Sequence, residues 1–221
     1  MNRQIYFDGA CLPVNPGGIA CWGVVAVENG NVAVERSGIV SRHGTNNIAE
    51  WTGLIEAIRL AKELGWRNVS IFGDSKLVVN QFNGLWRVHK KHLRRLLRKA
   101  KKEAKGLTLT VIWIPRERNV ADPVCHRAFI ESVEKTFRDR AKKEFSRYSV
   151  EKKGDVYVVH KNGNVAYEVS FDPLFCTCPA FRRWREYPLL KRSGLILRCK
   201  HHFIVEFLLN ALLSSDRKGT E

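Results

Sequence analysis

The order of apolar patterns along the first 135 residues constrains the fold more than any other feature of this 221-residue chain. Three extended patterns come first, and the turn residues Asn29-Gly30-Asn31 join the second to the third as a hairpin. The strand patterns lie at 3–8, 20–28, 32–40, 69–73 and 107–114, and the helical patterns at 48–64, 76–82, 88–105 and from 122 onward. This order predicts an α/β fold in which a mixed five-stranded sheet is flanked by helices.

Four acidic residues lie at the ends of these elements. Asp8 and Asp74 each end an apolar run, Glu50 stands near the start of the first helix, and Asp122 precedes the last helix. Strand ends and helix starts can converge on one edge of a sheet, where clustered carboxylates repel one another unless a cation is bound. Hard divalent cations prefer carboxylate and water oxygens, and a pair of such ions suits phosphodiester hydrolysis.

Each acidic residue also has an ordinary structural interpretation. The alternatives are a capping box at Asn47-x-x-Glu50, a helix N-terminus at Asp122-Pro123, a turn at Asp74-Ser75 and a turn at Asp8-Gly9. Taken singly, each residue favours the structural interpretation. Taken together, the four favour one shared site, because independent caps and turns have no reason to follow this order.

The segments around these residues resemble the type 1 ribonuclease H family. Four matching pieces occur in the family's order, namely Asp8-Gly9-Ala10-Cys11 with Asn15-Pro16-Gly17-Gly18, Thr45-Asn46-Asn47-Ile48-Ala49-Glu50, Gly73-Asp74-Ser75 and Asn119-Val120-Ala121-Asp122. The resemblance implies a ribonuclease H-like fold over residues 1–135. It also implies an endonuclease that hydrolyses the RNA strand of RNA–DNA hybrids and leaves 5′-phosphate and 3′-hydroxyl ends.

The resemblance further implies how such an enzyme would work. Two Mg²⁺ or Mn²⁺ ions would be held by the four catalytic carboxylates, Asp8, Glu50, Asp74 and Asp122. The minor groove of the hybrid, where the 2′-hydroxyl marks the RNA strand, would be contacted by Asn15, Asn46 and Asn47. Glycines near Asp8 would let the backbone approach the sugar. Double-stranded RNA is left open as a further substrate.

One loop departs from many members of the family. These members carry a histidine before the last aspartate, whereas the loop at residues 115–119 has none and looks more like the archaeal version. His126 follows Asp122 inside the helical pattern, so the role of the loop histidine does not pass to it. The metal mechanism does not depend on this difference.

The net charge of +16 indicates a polyanionic partner, most often nucleic acid. Residues 87–105 contain ten Lys or Arg and one Glu, although a solvated helix face is the usual explanation for such a run. Because the opposite face is apolar and the like charges repel, we favour contact with phosphates. The residues expected to contact nucleic acid here are Trp86, Arg87, Lys90, Lys91, Arg94 and Arg95.

The second part of the chain is predicted to be a separate small domain. Residues 136–147 are charged and carry few large apolar residues, which predicts a linker between domains at 1–135 and 148–214. A hairpin over 155–160 and 165–170 and a helix over 200–213 indicate a ββα arrangement. The pairs Cys176-Thr177-Cys178 and Cys199-Lys200-His201 offer three thiolates and one imidazole, a ligand set typical of structural Zn²⁺. Buried free cysteines are the alternative.

The spacing of these four residues resembles the SWIM zinc-finger family. The resemblance implies one structural Zn²⁺ on Cys176, Cys178, Cys199 and His201, and a module that binds nucleic acid or a protein partner. His202 lies outside the pattern and is expected at the surface or in support of a ligand. Residues 181–187 interleave basic and aromatic side chains, which suits phosphate contact with base stacking as well as the filling of a small core.

Other signals concern the cellular setting. The sequence shows no long apolar span, no lipidation signal and no signal peptide, since a strand pattern begins within five residues. The scattered residues Cys11, Cys21 and Cys125 are typical of reduced, packed thiols. We therefore expect a cytoplasmic protein that does not enter membranes.

Two other functions stay open. One is a non-catalytic adaptor that binds nucleic acid or protein on the same fold, which the four intact carboxylates disfavour. The other is a different nuclease of the superfamily, such as a transposase or junction resolvase. The Asn46-Asn47 pair and the loop at residues 15–18 favour ribonuclease H over this second alternative.

Overall fold

A computed structural model describes residues 2–216, without the side chains at 189, 192, 193 and 212–216. The chain forms two compact units, which divide between Phe129 and Ile130. None of the described helices is long and apolar enough to cross a bilayer.

The first unit is built on a five-stranded sheet with the order β3–β2–β1–β4–β5. Its strands are β1 (Arg3–Leu12), β2 (Ile19–Glu28), β3 (Asn31–Ser41), β4 (Asn68–Gly73) and β5 (Thr108–Trp113). The pairs β1–β2 and β2–β3 are antiparallel, whereas β1–β4 and β4–β5 are parallel. The predicted mixed five-stranded sheet is therefore confirmed.

The helices of this unit are α1 (Asn46–Glu63), α2 (Lys76–Phe82) and α3 (Lys91–Glu103), and α4 (Asp122–Glu144) starts in it and continues into the second unit. One face of α1 is buried against the sheet, and its fully buried side chains include Trp51, Leu54 and Ile58. They join Ile5 and Phe7 of β1 in the main apolar core. Burial of each large side chain contributes about 1.5–3 kcal/mol, so this contact fixes the helix on the strand that carries Asp8.

The predicted linker is helical in the structure. Helix α4 continues to Glu144 and a 3₁₀ turn follows at Phe145–Arg147, so residues 136–147 are not irregular. Phe137 and Ala141 lie four residues apart and pack in the apolar core of the second unit. The charged composition of this segment concealed that short stripe. The division after Phe129 also comes earlier than the expected end at residue 135.

The second unit contains an antiparallel sheet with the order β6–β7–β8–β9. Its elements are β6 (Tyr148–Lys153), β7 (Val156–Lys161), β8 (Asn164–Phe171), β9 (Leu174–Cys176), α5 (Pro179–Arg185), α6 (Pro188–Ser193) and α7 (Lys200–Asp216). The predicted hairpin corresponds to β7 and β8, and Asn162 and Gly163 both adopt the positive φ that its tight turn requires. The ββα description is incomplete, because two outer strands and two short helices are added.

Candidate functional site

The parallel pairing of β1 with β4 brings Asp8 and Asp74 together. Asp8 lies inside β1 and is 3% exposed, and Asp74 directly follows β4. Phe7 pairs with Gly73, so the next residue on each strand is one of the two aspartates. A Cβ added at Gly73 would lie 2.3 Å from the Phe7 ring. Glycine at this position therefore leaves room for the Phe7 ring beside the aspartate pair.

Glu50 is positioned by the close approach of α1 to β1. A Cβ at Gly9 would lie 2.1 Å from the backbone nitrogen of Glu50, and one at Gly53 would lie 2.7 Å from the carbonyl oxygen of Asp8. Only glycine permits such contact between helix and strand backbones. The space beside Gly9 is filled by α1, whereas the sequence suggested that it admits the sugar of a ligand.

The capping-box interpretation of Glu50 is wrong. Helix α1 is capped by Thr45, whose Oγ1 accepts a hydrogen bond from the backbone nitrogen of Ile48 at 3.3 Å, and Asn47 lies inside the helix. Within the described part of the chain, Oε2 of Glu50 is buried without a hydrogen-bond partner. A buried carboxylate oxygen in that state is costly unless a cation binds it. The environment of Glu50 therefore suits a metal ligand.

Asp122 is the first residue of α4 and has two cationic or potentially cationic neighbours. Arg116 donates from Nε to Oδ1 of Asp122 at 2.8 Å. On the other side, Nδ1 of His126 lies 3.2 Å from Oδ2 of Asp122. His126 is 1% exposed. Sequence reasoning gave His126 no role, although its spacing of four residues from Asp122 places both on one helix face and was the signal that could have found it.

The acidic residues form two groups that share Asp8. Ligand atoms of Asp8, Glu50 and Asp74 lie within 4.8 Å of one another, and the same holds for Asp8, Asp122 and His126. The structure thus brings all four predicted carboxylates to one place and adds a histidine. Carboxylate oxygens and an imidazole nitrogen at these separations can hold divalent cations, with Asp8 common to both groups.

Burial and mutual repulsion perturb the acids of this site. The pKa of Asp8 is raised from 3.8 to about 8, because burial disfavours its charged form and because Asp74 and Asp122 repel it. Burial, with the charges of Asp8 and Asp74, also holds the pKa of Glu50 well above its usual 4.5. Oδ2 of Asp8 is buried and has no hydrogen-bond partner among the described residues. The site therefore has a deficit of positive charge that a divalent cation would correct.

Asn119 connects three parts of the site. Its Nδ2 donates to the carbonyl oxygen of Phe7 at 2.9 Å and to Oδ1 of Asp74 at 3.1 Å, and its Oδ1 accepts from the backbone nitrogen of Ala121 at 3.2 Å. The residue is 4% exposed. Trp113 adds a second restraint, since its Nε1 donates to the carbonyl oxygen of Asp74 at 3.0 Å.

The asparagines predicted to contact a hybrid are linked to one another near the site. Oδ1 of Asn46 accepts from the backbone nitrogen of Cys11, and Oδ1 of Asn15 accepts from the backbone nitrogen of Asn46, both at 3.0 Å. Because both side-chain oxygens are used within the protein, the NH₂ groups are the part that would face a ligand. Asn47 is half-buried in the first turn of α1.

The predicted basic surface is exposed on and before α3. Trp86 is 50% exposed, and the charged residues of this surface are all exposed, namely Arg87, Lys90, Lys91, Arg94 and Arg95. The helix starts at Lys91, three residues later than predicted. Its opposite side is fixed by buried Leu93 and by an ion pair in which Nη2 of Arg59 lies 3.0 Å from Oε1 of Glu103.

In the second unit, the structure gathers the predicted zinc ligands. Cys176 ends β9, Cys178 is the N-cap of α5, and Cys199 and His201 lie at the start of α7. Their ligand atoms fall within 4.8 Å of one another and all four residues are buried. Nδ1 of His201 lies 3.8 Å from Sγ of Cys176 and 3.9 Å from Sγ of Cys199. The set of three thiols and one imidazole has the composition that tetrahedral Zn²⁺ takes.

Backbone donors support these sulfur atoms. The nitrogens of Cys178 and Phe181 donate to Sγ of Cys176 at 3.4 Å and to Sγ of Cys178 at 3.3 Å, respectively. Hydrogen bonds from Cys176 and Cys199 hold the pKa of the Cys178 thiol well below its usual 9.0. The pKa values of Cys176 and Cys199 are raised, because these thiols share hydrogen bonds with Cys178 and are buried. The cluster by itself therefore favours one thiolate, and binding of a metal would deprotonate the other two thiols.

His202 is buried beside the cluster, which excludes the surface position allowed by the sequence. It is 0% exposed, and its Nδ1 accepts from the backbone nitrogen of Cys199 at 3.2 Å. Its ring lies 5.5 Å from each of the rings of Phe171 and Phe181. His202 thus fixes the backbone that carries Cys199.

Comparison with known proteins gave matches that concern the first part of the chain. Residues 6–128 match the family model described as reverse transcriptase-like. Ribonuclease HI of Halobacterium salinarum is 34% identical over 125 residues, which cover 56% of this chain and 62% of that protein. The bifunctional protein Rv2228c of Mycobacterium tuberculosis is 36% identical over 107 residues, or 48% of this chain and 29% of that protein. The chain thus spans less than two thirds of either relative.

A solved structure shows the same similarity. LC11-RNase H1, determined in complex with an RNA/DNA hybrid, aligns with a TM-score of 0.55 and 30% sequence identity over 60% of this chain and 99% of that one. The first unit is therefore a ribonuclease H-like domain, as the sequence motifs predicted.

Proposed function

The chain belongs to the reverse transcriptase-like family, and we propose that within this family it is a ribonuclease H that hydrolyses the RNA strand of RNA–DNA hybrids. The observation that carries this proposal is the pair of ligand groups that share Asp8. A binding module would gain nothing from several buried carboxylates that repel one another, whereas a metal-dependent nuclease requires them.

The four carboxylates and His126 would hold two Mg²⁺ or Mn²⁺ ions. When bound, such ions supply an activated water and neutralise the charge that develops on the leaving 3′-oxygen. The protein's own part is to keep the ligands in place. Asn119 and Trp113 restrain Asp74, while Arg116 restrains Asp122. The expected products carry 5′-phosphate and 3′-hydroxyl ends.

Selection of the RNA strand is assigned to the asparagines beside the site. The NH₂ groups of Asn15 and Asn46 can donate to a 2′-hydroxyl or to base edges in the minor groove. The hydrogen bond between the two residues keeps these groups at a fixed spacing. A DNA strand lacks the 2′-hydroxyl acceptor and would therefore be bound less well.

The exposed cations on and before α3 are assigned to the phosphate backbone. Five cations of this segment are exposed, and Trp86 beside them is 50% exposed. They are Arg87, Lys90, Lys91, Arg94 and Arg95. Contacts of this kind position a duplex without reading its sequence, and they weaken as salt rises.

For the second unit we propose one structural Zn²⁺ on Cys176, Cys178, Cys199 and His201. The four ligands leave no open position for catalysis, so the ion would hold the sheet and the helices α5 and α7 together. The unit would then add affinity for nucleic acid.

A cleavage assay tests the proposal. Labelled RNA–DNA hybrid, double-stranded DNA and double-stranded RNA are incubated with the protein and Mg²⁺ or Mn²⁺, beside the variant Asp74→Asn. Asp155→Asn, at an exposed aspartate in the turn before β7, is the matched control. We expect cleavage of the hybrid's RNA strand by the wild type and the control, and none by Asp74→Asn. Binding of the hybrid without cleavage would favour the adaptor alternative.

A further inference from the structure

The second unit contains an open cleft beside the cysteine–histidine cluster. The cleft has a volume of about 390 Å³ and lies between α5, α6 and the segment at residues 194–197. Its apolar lining includes Phe181, Trp184, Leu190 and Ile196. This volume falls within the range of about 300–1,000 Å³ that is usual for ligand pockets.

The cleft is coupled to the cluster through α5. Cys178 caps this helix, and its Sγ accepts from the backbone nitrogen of Phe181, which is 1% exposed. Phe181 lies in the cleft's lining and in the core of the unit. The ring of Trp184, one helical turn further on, meets the ring of Tyr187 edge-on at 5.7 Å. The aromatic wall is therefore built on a fixed helix.

One side chain of the lining is unusually exposed for its type. Ile196 is 53% exposed, although it is a large aliphatic residue. The neighbouring Trp184 is half-buried. An exposed apolar surface inside a concave site is typical of a place where a flat apolar or aromatic group binds.

The charged residues around the cleft indicate which kind of molecule would carry the bound group. Residues 179–200 contain seven Lys or Arg and one Glu. Three of these cations have acidic partners. Arg198 pairs with Glu134 and Lys200 with Glu144. In the cleft lining, Nζ of Lys191 lies 3.3 Å from Oε2 of Glu186. Arg182, Arg183 and Arg185 on α5 are all exposed around Trp184. An aromatic face among exposed cations fits a planar group carried on an anionic chain.

We propose that this cleft binds an unpaired nucleobase of single-stranded nucleic acid, with the flanking phosphates on Arg182, Arg183 and Arg185. A base within a duplex is stacked and paired and cannot enter, so the cleft selects unpaired strands. The inference rests on the proposed nucleic-acid affinity of this unit and names the part of the ligand that is bound.

The test measures binding of the full chain to a short single-stranded DNA and to an abasic strand of the same length. The abasic strand keeps the phosphates and lacks the bases. Wild type should bind the normal strand more tightly. Trp184→Ala should weaken that binding about five- to hundredfold and leave binding to the abasic strand unchanged. Trp184→Phe should keep most of the affinity.

Two further variants distinguish a loss of base binding from a general loss of folding. Arg185→Gln, at an exposed residue, should weaken binding of the normal and abasic strands equally, because it removes a phosphate contact alone. Val165→Ala, at a residue 70% exposed on β8, should bind as wild type does. Equal affinity of the wild type for the two strands would overturn the base pocket.

The same experiments separate this inference from the proposed function. Hybrid cleavage together with single-strand affinity that Trp184→Ala does not change would overturn the base pocket and leave the nuclease standing. Tighter binding of polyglutamate than of the DNA strand, lost in Trp184→Ala, would assign the cleft to an acidic protein segment and also overturn the proposal. Failure of the wild type to cleave any hybrid would contradict the proposed function itself.

Discussion

The side-chain amide of Asn119 holds the carboxylate of Asp74 at 3.1 Å between Nδ2 and Oδ1. The same nitrogen donates to the carbonyl oxygen of Phe7, which directly precedes Asp8 in β1. One buried asparagine therefore fixes the relative position of two acidic residues on neighbouring strands. A residue that hydrogen-bonds to a metal ligand, without binding the metal itself, holds that ligand in the right orientation.

Asn119→Ala should reduce hybrid cleavage about 10–100-fold, because Asp74 would lose its orientation and bind metal less well. The loss should shrink as Mg²⁺ is raised, which a titration of activity against Mg²⁺ would measure. Asn83→Ala is the matched control, since its Nδ2 also donates to a carbonyl oxygen, that of Val111 at 2.9 Å, outside the site. An equal loss of activity in both variants would mean that Asn119 matters for stability alone.

Asp8→Asn should stabilise the metal-free protein at high pH while abolishing cleavage. The pKa of Asp8 is raised from 3.8 to about 8, so the folded protein holds this proton more tightly than the unfolded chain does. The stabilising contribution of the proton is complete below about pH 4 and is lost as the pH rises toward about 8. Asparagine stays neutral throughout and avoids that loss.

The measurement is thermal unfolding in a chelator at about pH 5 and about pH 9. Asp8→Asn should raise the free energy of unfolding by about 2–5 kcal/mol more at the higher pH. If Asp8→Asn gains no stability at either pH, burial and repulsion do not destabilise the charged form of Asp8.

Glu50→Gln and Thr45→Ala should have opposite effects on cleavage activity and on stability. Glu50→Gln keeps the size of the side chain but removes its ability to ionise and bind a metal. Cleavage should therefore be lost, while the metal-free protein should lose no stability, because burial and repulsion already raise the pKa of Glu50. Thr45→Ala removes the cap of α1 and should cost about 1 kcal/mol of stability, with activity retained. Activity is read by hybrid cleavage and stability by urea unfolding. Retention of activity in Glu50→Gln would remove Glu50 from the catalytic site.

The strands and helices of the first unit could be predicted because their apolar periodicity is local. The site could be predicted from its motifs, but the role of Asn119 could not, since its contacts with Phe7 and Asp74 span 112 and 45 residues of sequence. The capping box failed for a related reason. Both Thr45 and Asn47 are good cap residues, and the sequence alone does not choose between them, whereas the structure has Thr45 as the cap and Asn47 inside the helix.

In the second unit, the strands β6 and β9 were not predicted from the sequence. β6 ends in the exposed residues Glu151, Lys152 and Lys153, which interrupt any apolar alternation. β9 has three residues, too few for a period to be recognised. The pairing of these strands with their neighbours, and not their composition, makes them part of the sheet.

Cys199→Ala should remove bound zinc from the purified protein and unfold the second unit, because one ligand of four is lost. Zinc content by mass spectrometry and thermal unfolding would measure both effects, and a strong chelator should reproduce them in the wild type. Cys11→Ala is the control, at a buried cysteine outside the cluster. Wild-type protein that contains no zinc and is indifferent to the chelator would support the alternative of buried free thiols.

Arg94→Gln should weaken binding of the hybrid and reduce its salt dependence. Arg94 is exposed on the first turn of α3, where a phosphate contact is proposed. Loss of one such contact should lower the slope of log K against log salt by about 0.9. Binding would be followed in the Asp74→Asn background, which prevents cleavage. Lys152→Gln, an exposed lysine on β6, is the control, and equal slopes in the two variants would exclude α3 from the duplex interface.

The most direct test of the carboxylate site is the chemistry of the ends that it produces. An RNA–DNA hybrid labelled on the RNA strand would be cut in Mg²⁺, and the new ends would be identified by mass spectrometry for wild type and Asp74→Asn. We expect 5′-phosphate and 3′-hydroxyl ends from wild type, because ions bound at the carboxylates would supply an activated water for hydrolysis, and no products from the variant. Ends with 2′,3′-cyclic phosphate, or cleavage that persists in Asp74→Asn, would contradict it.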